Sequence, residues 1–206
     1  IIALNLPGSK HSINQYSKPL SIELFIEHTR TFIDQFIKRK VVLVGHSLGG
    51  GVVSALSDHP KVEKVVYINT IHPFIYKSRL YQFIYKYYSK KTAWQQIKNA
   101  VINGAMTVYK NKIAKEEEKE IIETMLDQNK PEHNIVQQNL FNENFVQHTL
   151  KINYFKSLAK DPVFIIGSSD IVIEPMHFIE FVKNELKRDF ILLENVVHSP
   201  FLFNCE

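Results

Sequence analysis

The residues best suited to chemistry lie in one short segment, 45–51, whose sequence is GHSLGGG. The apolar run VVLV precedes it, and the helix-like sequence VVSALSDH follows it at 52–59. A serine at the tip of a sharp strand-to-helix turn is strained and needs small residues two positions before and after it. Such a turn exposes the hydroxyl, and the positive end of the following helix favours negative charge developing beside it. The segment therefore indicates a nucleophilic serine, Ser47.

Two phosphate-binding interpretations of the same glycines fail on spacing. A P-loop needs lysine at position 51, where Gly51 stands, and the dinucleotide fingerprint needs glycine at position 47, where Ser47 stands. An ordinary tight turn is the remaining alternative. The position of the segment between an apolar strand and a helix disfavours it.

A nucleophilic serine needs a general base, and the base needs a carboxylate that orients it. Asp170 directly follows the apolar run VFIIGSS, and His198 follows FILLENVV. Both residues are then expected at the carboxyl ends of strands, where open α/β sheets bind their ligands. The sequence therefore predicts a catalytic set of Ser47, Asp170 and His198.

Other residues compete less well for these roles. Glu174 lies in the same loop as Asp170, four residues further from the strand, and is the alternative acid. His46 is expected to border the pocket rather than to act as the base. The remaining histidines are expected in helical patterns (His28, His133, His148 and His177), at the far end of the nucleophile's helix (His59), or in loops where they remain candidates for lining the site (His11 and His72).

Five apolar runs closed by turn residues predict the strands, at 1–8, 41–45, 62–70, 163–170 and 190–195. Runs that are apolar on both faces and separated by helical patterns are what a parallel sheet covered on both sides requires. The predicted helices are 22–37, with Ser21 as N-cap, and 175–186, which begins at Pro175. The predicted class is α/β, with a mostly parallel sheet and helices on both faces.

Residues 72–160 break this alternation and carry only helical signals. Because such an insertion is too long for a plain loop, we predict a helical cap or lid at 72–160 between two parts of a core, 1–71 and 161–206. Within the cap, residues 74–88 hold seven aromatic side chains flanked by basic ones. Packing between cap and core is the simpler interpretation, and an acyl-chain pocket or a lid that touches a lipid surface is the alternative.

Composition limits the partners. The 206 residues, 45 % of them hydrophobic, are enough to fill a core. The 25 Lys and Arg exceed the 21 Asp and Glu by only four, spread over the whole length, which excludes a nucleic-acid footprint. Cys205, the single cysteine, can form neither an internal disulfide nor a zinc cluster. No apolar run is long enough to span a membrane, so we predict a cytoplasmic protein with at most peripheral membrane contact.

The sequences GHSLGG at 45–50, GSSD at 167–170 and VHSP at 197–200 resemble the motifs of the α/β-hydrolase superfamily, cap-bearing branch. The order serine, aspartate, histidine along the chain is also the order in this architecture. The segment LNLPGSKHS at 4–12 is similar to the family's Asp-Leu-Pro-Gly-His-Gly-x-Ser, although Asn5 replaces the aspartate and Ser-Lys replaces His-Gly. These are not triad positions, so the departure bears on pocket shape rather than on chemistry.

The resemblance implies an esterase or lipase that acts on a small-molecule or lipid ester through an acyl-enzyme, with no metal or organic cofactor. It makes Ser47 the nucleophile, His198 the base and Asp170 its orienting acid, and the backbone N–H of Leu48 one oxyanion donor. A serine nucleophile argues against the dehalogenase and epoxide-hydrolase branches. A peptidase, a thioesterase or a C–C-bond hydrolase would use the same triad, and a non-catalytic binding module on this scaffold is a further alternative.

The family's second oxyanion donor comes from a loop after an earlier strand that this sequence does not contain. Against the family pattern three strands are absent, one of them between the segments 1–8 and 41–45. We therefore expect this sequence to be the C-terminal part of a longer chain with about 45 further residues upstream.

Overall fold

The protein is described by a computed structural model that covers residues 1–7, 21–82, 155 and 161–200. Within these residues, four strands form one sheet in the order β1-β2-β3-β4, and each neighbouring pair is parallel. The strands are β1 (Val41–His46), β2 (Val62–Ile68), β3 (Val163–Gly167) and β4 (Ile191–Leu193). The prediction of an α/β protein with a parallel sheet is confirmed.

Three helices accompany the strands. Helix α1 (Ile22–Phe36) precedes β1, and α2 (Leu48–Ser54) connects β1 to β2. Helix α3 (Pro175–Glu180) lies between β3 and β4 and continues as a π-helical turn at Phe181–Glu185. A 3₁₀ turn at Ile75–Lys77 follows β2. Of the predicted cap at 72–160, all but residues 72–82 and 155 lies outside the described residues, so the division into core and cap stays a prediction.

An N-cap and a buried stripe explain α1. Ser21 Oγ accepts a hydrogen bond from Leu24 N at 3.2 Å, as the prediction of an N-cap requires. Phe36, in the last turn, is 65 % exposed, and its ring lies against Phe32 rather than the core, with the ring centroids 5.4 Å apart. The buried side chains are Ile22, Leu24, Phe25, Thr29 and Ile33.

The segment 1–7 forms no strand, so the predicted strand at 1–8 is wrong for the residues that the structure describes. Ile1 and Ile2 are exposed. A strand needs a hydrogen-bonded neighbour, and in the described part of the chain β1 pairs only with β2. Apolar composition alone therefore did not make this segment a strand.

One face of β1 is also uncovered among the described residues. Val42 and Val44 alternate with less exposed neighbours and are 50 % and 59 % exposed. The outer strand of the described sheet therefore presents one partly exposed face. At β2, in contrast, Tyr67 is fully buried.

Aromatic rings from β2, β3 and α3 make the centre of the core. Tyr67 stacks on Phe164 with the ring centroids 5.0 Å apart. The ring of His72 stacks on Phe178 at 5.0 Å and on Phe181 at 5.6 Å, and all three side chains are fully buried. The first residues after β2 are thereby packed firmly against the π-helical end of α3.

Protonation of His72 is expected to destabilise the fold in acid. Burial, followed by the nearby His177, lowers the pKa of His72 to about 3. Because an ordinary histidine has a pKa of about 6.5, the unfolded chain binds this proton first as the pH falls, and the free energy of unfolding drops by up to about 1.4 kcal/mol per pH unit between the two values. Urea denaturation of His72→Leu and the parent protein at several pH values tests this, and equal pH slopes would contradict it.

Candidate active site

Ser47 lies in the turn between β1 and α2 and has φ 50° and ψ −121°. A positive φ is strained for a residue that carries a Cβ, so the surrounding structure must hold it. The carbonyl oxygen of Ser47 accepts hydrogen bonds from Gly50 N, Ile71 N and Thr70 Oγ1, each at 3.1 Å. The N–H of Ser47 donates to Ile68 O at 3.2 Å. The bond from Gly50 closes the turn, and the other three fix the turn to the end of β2.

Close approach of neighbouring atoms explains two of the glycines around Ser47. A Cβ at Gly45 would lie 2.5 Å from Val53 Cγ2, and a Cβ at Gly50 would overlap the side chain of Thr70. A Cβ at Gly49 would meet no described atom within 4 Å. Space therefore requires glycine at 45 and 50, rather than at 45 and 49 as the spacing around the serine suggested.

A matched pair of substitutions, Gly50→Ala and Gly49→Ala, is expected to differ in its effect on the free energy of unfolding. Gly50→Ala should lower the free energy of unfolding by about 1–3 kcal/mol or more. The added methyl group must displace Thr70 and the turn that Thr70 holds. Gly49→Ala should keep that stability or raise it slightly, since the added Cβ meets no described atom within 4 Å and alanine is favoured over glycine in helices, by up to about 1 kcal/mol in their interior. Chemical denaturation of both variants checks this. Equal losses of stability in the two would contradict it.

The structure brings the three predicted catalytic residues together. His198 Nε2 lies 3.0 Å from Ser47 Oγ, and His198 Nδ1 lies 2.8 Å from Asp170 Oδ2. Because the carboxylate only accepts, Nδ1 carries the proton and Nε2 is left to accept from the serine hydroxyl. The arrangement can therefore remove a proton from Ser47.

The side chain of Asp170 is buried, with 2 % of the residue's surface exposed. Its Oδ1 accepts hydrogen bonds from Val172 N at 2.7 Å and Ile173 N at 3.0 Å, which leaves Oδ2 directed at His198. The loop after β3 thus orients the acid that orients the base.

A sequence profile of the alpha/beta hydrolase fold matches residues 1–204. The chain belongs to the α/β-hydrolase family. The crystal structure of an Acinetobacter baumannii protein named as a lipase matches it with a TM-score of 0.67 and 22 % identity, over 97 % of this chain and 68 % of that chain. An esterase from Thermogutta terrifontis matches with a TM-score of 0.68 and 13 % identity, over 96 % of this chain and 72 % of that chain. At such identities the likeness shows the α/β-hydrolase fold.

A curated relative gives a shorter match. A Mycoplasma genitalium protein named as an esterase/lipase is 37 % identical over 57 residues, which make up 28 % of this chain and 21 % of that protein. The matched segment of this α/β-hydrolase thus spans about a fifth of the length of that relative.

The rival site residues have other contacts in this α/β-hydrolase. Glu174 Oε1 accepts from Arg79 N at 2.7 Å, so its carboxylate is engaged at the start of the predicted cap rather than at His198. His46 lies against His198, and whether it borders a substrate pocket stays a prediction. His59 contacts Asp34 on α1. His72 is buried in the core, His177 lies beside Glu174, and His11, His133 and His148 lie outside the described residues.

Sequence reasoning missed three residues that support the site, Asn69, Thr70 and Ile71. They follow β2 at the carboxyl edge of the sheet, where Thr70 and Ile71 bind the carbonyl of Ser47 and Asn69 binds the His198 loop. For Asn69 and Thr70 a signal exists, because polar residues after a parallel strand lie at the ligand-binding edge, but the predicted strand 62–70 includes both. Ile71 contributes only its backbone N–H, which no side-chain pattern reveals.

Leu48 is the first residue of α2, so its N–H has no acceptor within the helix. Its place directly after Ser47, at the positive end of the helix, makes this N–H a candidate oxyanion donor.

A cavity of about 460 Å³ opens beside the acid-bearing loop. Its apolar side includes the exposed residues Ile171 and Met176, and its polar side includes Arg79, Glu174 and Ser169. Across the described ranges, no group of three His, Cys, Asp or Glu side chains is placed to hold a metal ion. In the same part of the chain, no helix is both long and apolar enough to cross a membrane.

Proposed function

We propose that this α/β-hydrolase is a serine hydrolase that cleaves carboxylic esters through an acyl-enzyme. The observation that carries the proposal is the continuous hydrogen-bond chain from Asp170 through His198 to Ser47, with contacts of 2.8 and 3.0 Å. The names of the relatives, an esterase from Thermogutta terrifontis and an esterase/lipase from Mycoplasma genitalium, support an ester as substrate. The substrate class is then a small-molecule or lipid ester.

The first half of the reaction forms the acyl-enzyme. His198 Nε2 takes the hydroxyl proton as Ser47 Oγ forms a bond to the carbonyl carbon, and the carbonyl π electrons move to oxygen. The N–H of Leu48 donates to this oxyanion, and Asp170 stabilises the imidazolium. Collapse of the tetrahedral intermediate breaks the bond to the alcohol oxygen, which leaves with the proton from His198.

The second half returns the enzyme to its starting state. A water molecule gives a proton to His198 Nε2 as its oxygen attacks the acyl carbon. The bond to Ser47 Oγ then breaks, the proton passes from His198 to Oγ, and the carboxylic acid leaves.

A fluorophosphonate probe tests the nucleophile, because only an activated serine reacts with it. We expect labelling of the folded protein at the peptide that contains Ser47, together with hydrolysis of p-nitrophenyl esters. Acyl-thioesters, N-terminal-proline peptides and a C–C-bond substrate complete the panel, and a clear preference for one of these would reassign the substrate class. A folded protein that takes up no probe would favour the non-catalytic binding module.

A further inference from the structure

We propose that Asn69 is a positioning residue that holds the backbone of His198 against the acid-bearing turn, with His46 as its partner. The inference rests on the proposed function, since it concerns how the base of that triad is kept in place. Neither residue touches the reacting atoms in this account.

The side chain of Asn69 uses its donors and its acceptor on two separate segments. Its Nδ2 group donates to Val197 O at 3.0 Å and to His198 O at 2.9 Å. Its Oδ1 accepts from Gly167 N at 2.7 Å. The residue is 1 % exposed, so these bonds form where water does not replace them.

The backbone of Asn69 is held in a strained conformation that aims this side chain. Its φ is 40°, in the left-handed region that asparagine tolerates better than most residues. Its N–H donates to Ile165 O at 3.0 Å, which anchors the strained residue to β3. Strain of this kind persists only where the surrounding structure enforces it.

His46 supplies a second donor to the same carbonyl. His46 Nε2 lies 2.7 Å from His198 O, and because a carbonyl only accepts, this nitrogen carries the proton. The rings of His46 and His198 lie against each other with centroids 4.8 Å apart. The carbonyl of His198 is thus held by two side chains, while its two ring nitrogens face Asp170 and Ser47.

The segments that Asn69 joins carry the acid and the base. Asp170 N donates to Gly167 O at 3.2 Å, so Gly167 begins the turn that carries Asp170. The N–H of the same Gly167 donates to Asn69 Oδ1. A Cβ at Gly167 would lie 2.5 Å from Val196 O, which shows how closely this turn approaches the base loop. Asn69 is therefore placed to set the separation between Asp170 and His198.

Loss of these donors is expected to lower kcat rather than to raise KM. A displacement of a catalytic group by about 1 Å can cost about 10²-fold in rate, and Asn69 makes no contact that would bind substrate directly. Asn69→Asp keeps the shape and the acceptor for Gly167 but turns both donors into acceptors that face carbonyls. Asn69→Gly removes the donors without adding charge and suits the positive φ.

The His46 pair provides matched variants that keep the Asn69 turn intact. In His46→Gln the amide nitrogen replaces Nε2 as a donor, so this variant should retain most of kcat. His46→Ala removes the donor and should lower kcat, and its effect should be larger when it is combined with Asn69→Gly. If His46→Gln keeps kcat while His46→Ala loses it, the hydrogen bond to His198 O, rather than the bulk of the side chain, accounts for the effect.

The experiment measures kcat and KM of the four single variants and the combined variant on one p-nitrophenyl ester, the folded fraction by circular dichroism, and the low-field proton resonance of His198 Nδ1–H by NMR. We expect the Asn69 variants and His46→Ala to lose about 10²-fold in kcat while folded, with a weakened or shifted resonance. Losses that merely follow the folded fraction, or a folded Asn69→Gly with unchanged kcat and resonance, would overturn the inference. If the parent protein is not labelled at Ser47, the proposed function fails, and the resonance comparison still decides the role of Asn69.

Discussion

Replacement of Ser47 by alanine is expected to abolish ester hydrolysis and fluorophosphonate labelling while the protein stays folded. The hydroxyl lies 3.0 Å from His198 Nε2 and is the atom that would attack the ester. Alanine keeps the Cβ and the backbone, so the strained turn and the hydrogen bonds to the Ser47 carbonyl are retained. The expected loss in kcat is about 10⁶-fold, the size seen when a serine hydrolase loses its nucleophile.

The matched control for this change is Ser169→Ala. Ser169 is an exposed serine in the loop after β3, and its removal leaves the hydrogen-bond chain of the triad in place. Rates on p-nitrophenyl butyrate and intact-protein mass after labelling are compared for both variants and the parent. Substantial residual hydrolysis or labelling in Ser47→Ala would move the nucleophile elsewhere.

The isosteric change Asp170→Asn is expected to lower kcat by about 10⁴-fold with little effect on KM. The amide oxygen still accepts from Val172 N and Ile173 N, so the NH₂ group faces His198 Nδ1. Nδ1 must then accept, and the ring proton moves to Nε2, where it blocks removal of the serine proton. The carboxylate that would stabilise the imidazolium is also lost.

Glu174→Gln is the control that decides between the two acids of the same loop. The amide oxygen of glutamine can still accept from Arg79 N, and no bond to His198 is altered. Steady-state rates of both variants and the parent on one ester give the comparison. If Glu174→Gln loses more activity than Asp170→Asn, the acid was assigned wrongly.

The sequence predicted the features that depend on short-range patterns. Ser21 caps α1 because a serine hydroxyl before an apolar stripe satisfies an otherwise free helix N–H. The proximity of Ser47, Asp170 and His198 was predictable because each follows an apolar strand, and parallel strands place such residues at one edge of the sheet. Their contacts in the structure join residues that are 28 and 151 positions apart in the chain.

Features that depend on what lies opposite in space were not predictable from those patterns. The segment 1–7 is as apolar as the strands, but no strand in the described sheet pairs with it. Glycine is required at position 50 by the side chain of Thr70, which arrives from the next loop. The contacts of Asn69 reach Gly167 and His198, and no local spacing reveals which partners a buried amide finds.

The short strand β4 affects how long the base stays in place. It has only three residues, forms an outer strand of the described sheet, and exposes Ile191 and Leu192, yet the chain passes through it directly before His198. Few buried contacts and an outer position are marks of segments that open locally at a low free-energy cost, while the rest of a protein stays folded. Amide hydrogens of β4 should therefore exchange through such openings, and each opening would carry His198 away from Ser47 without disturbing the aromatic core.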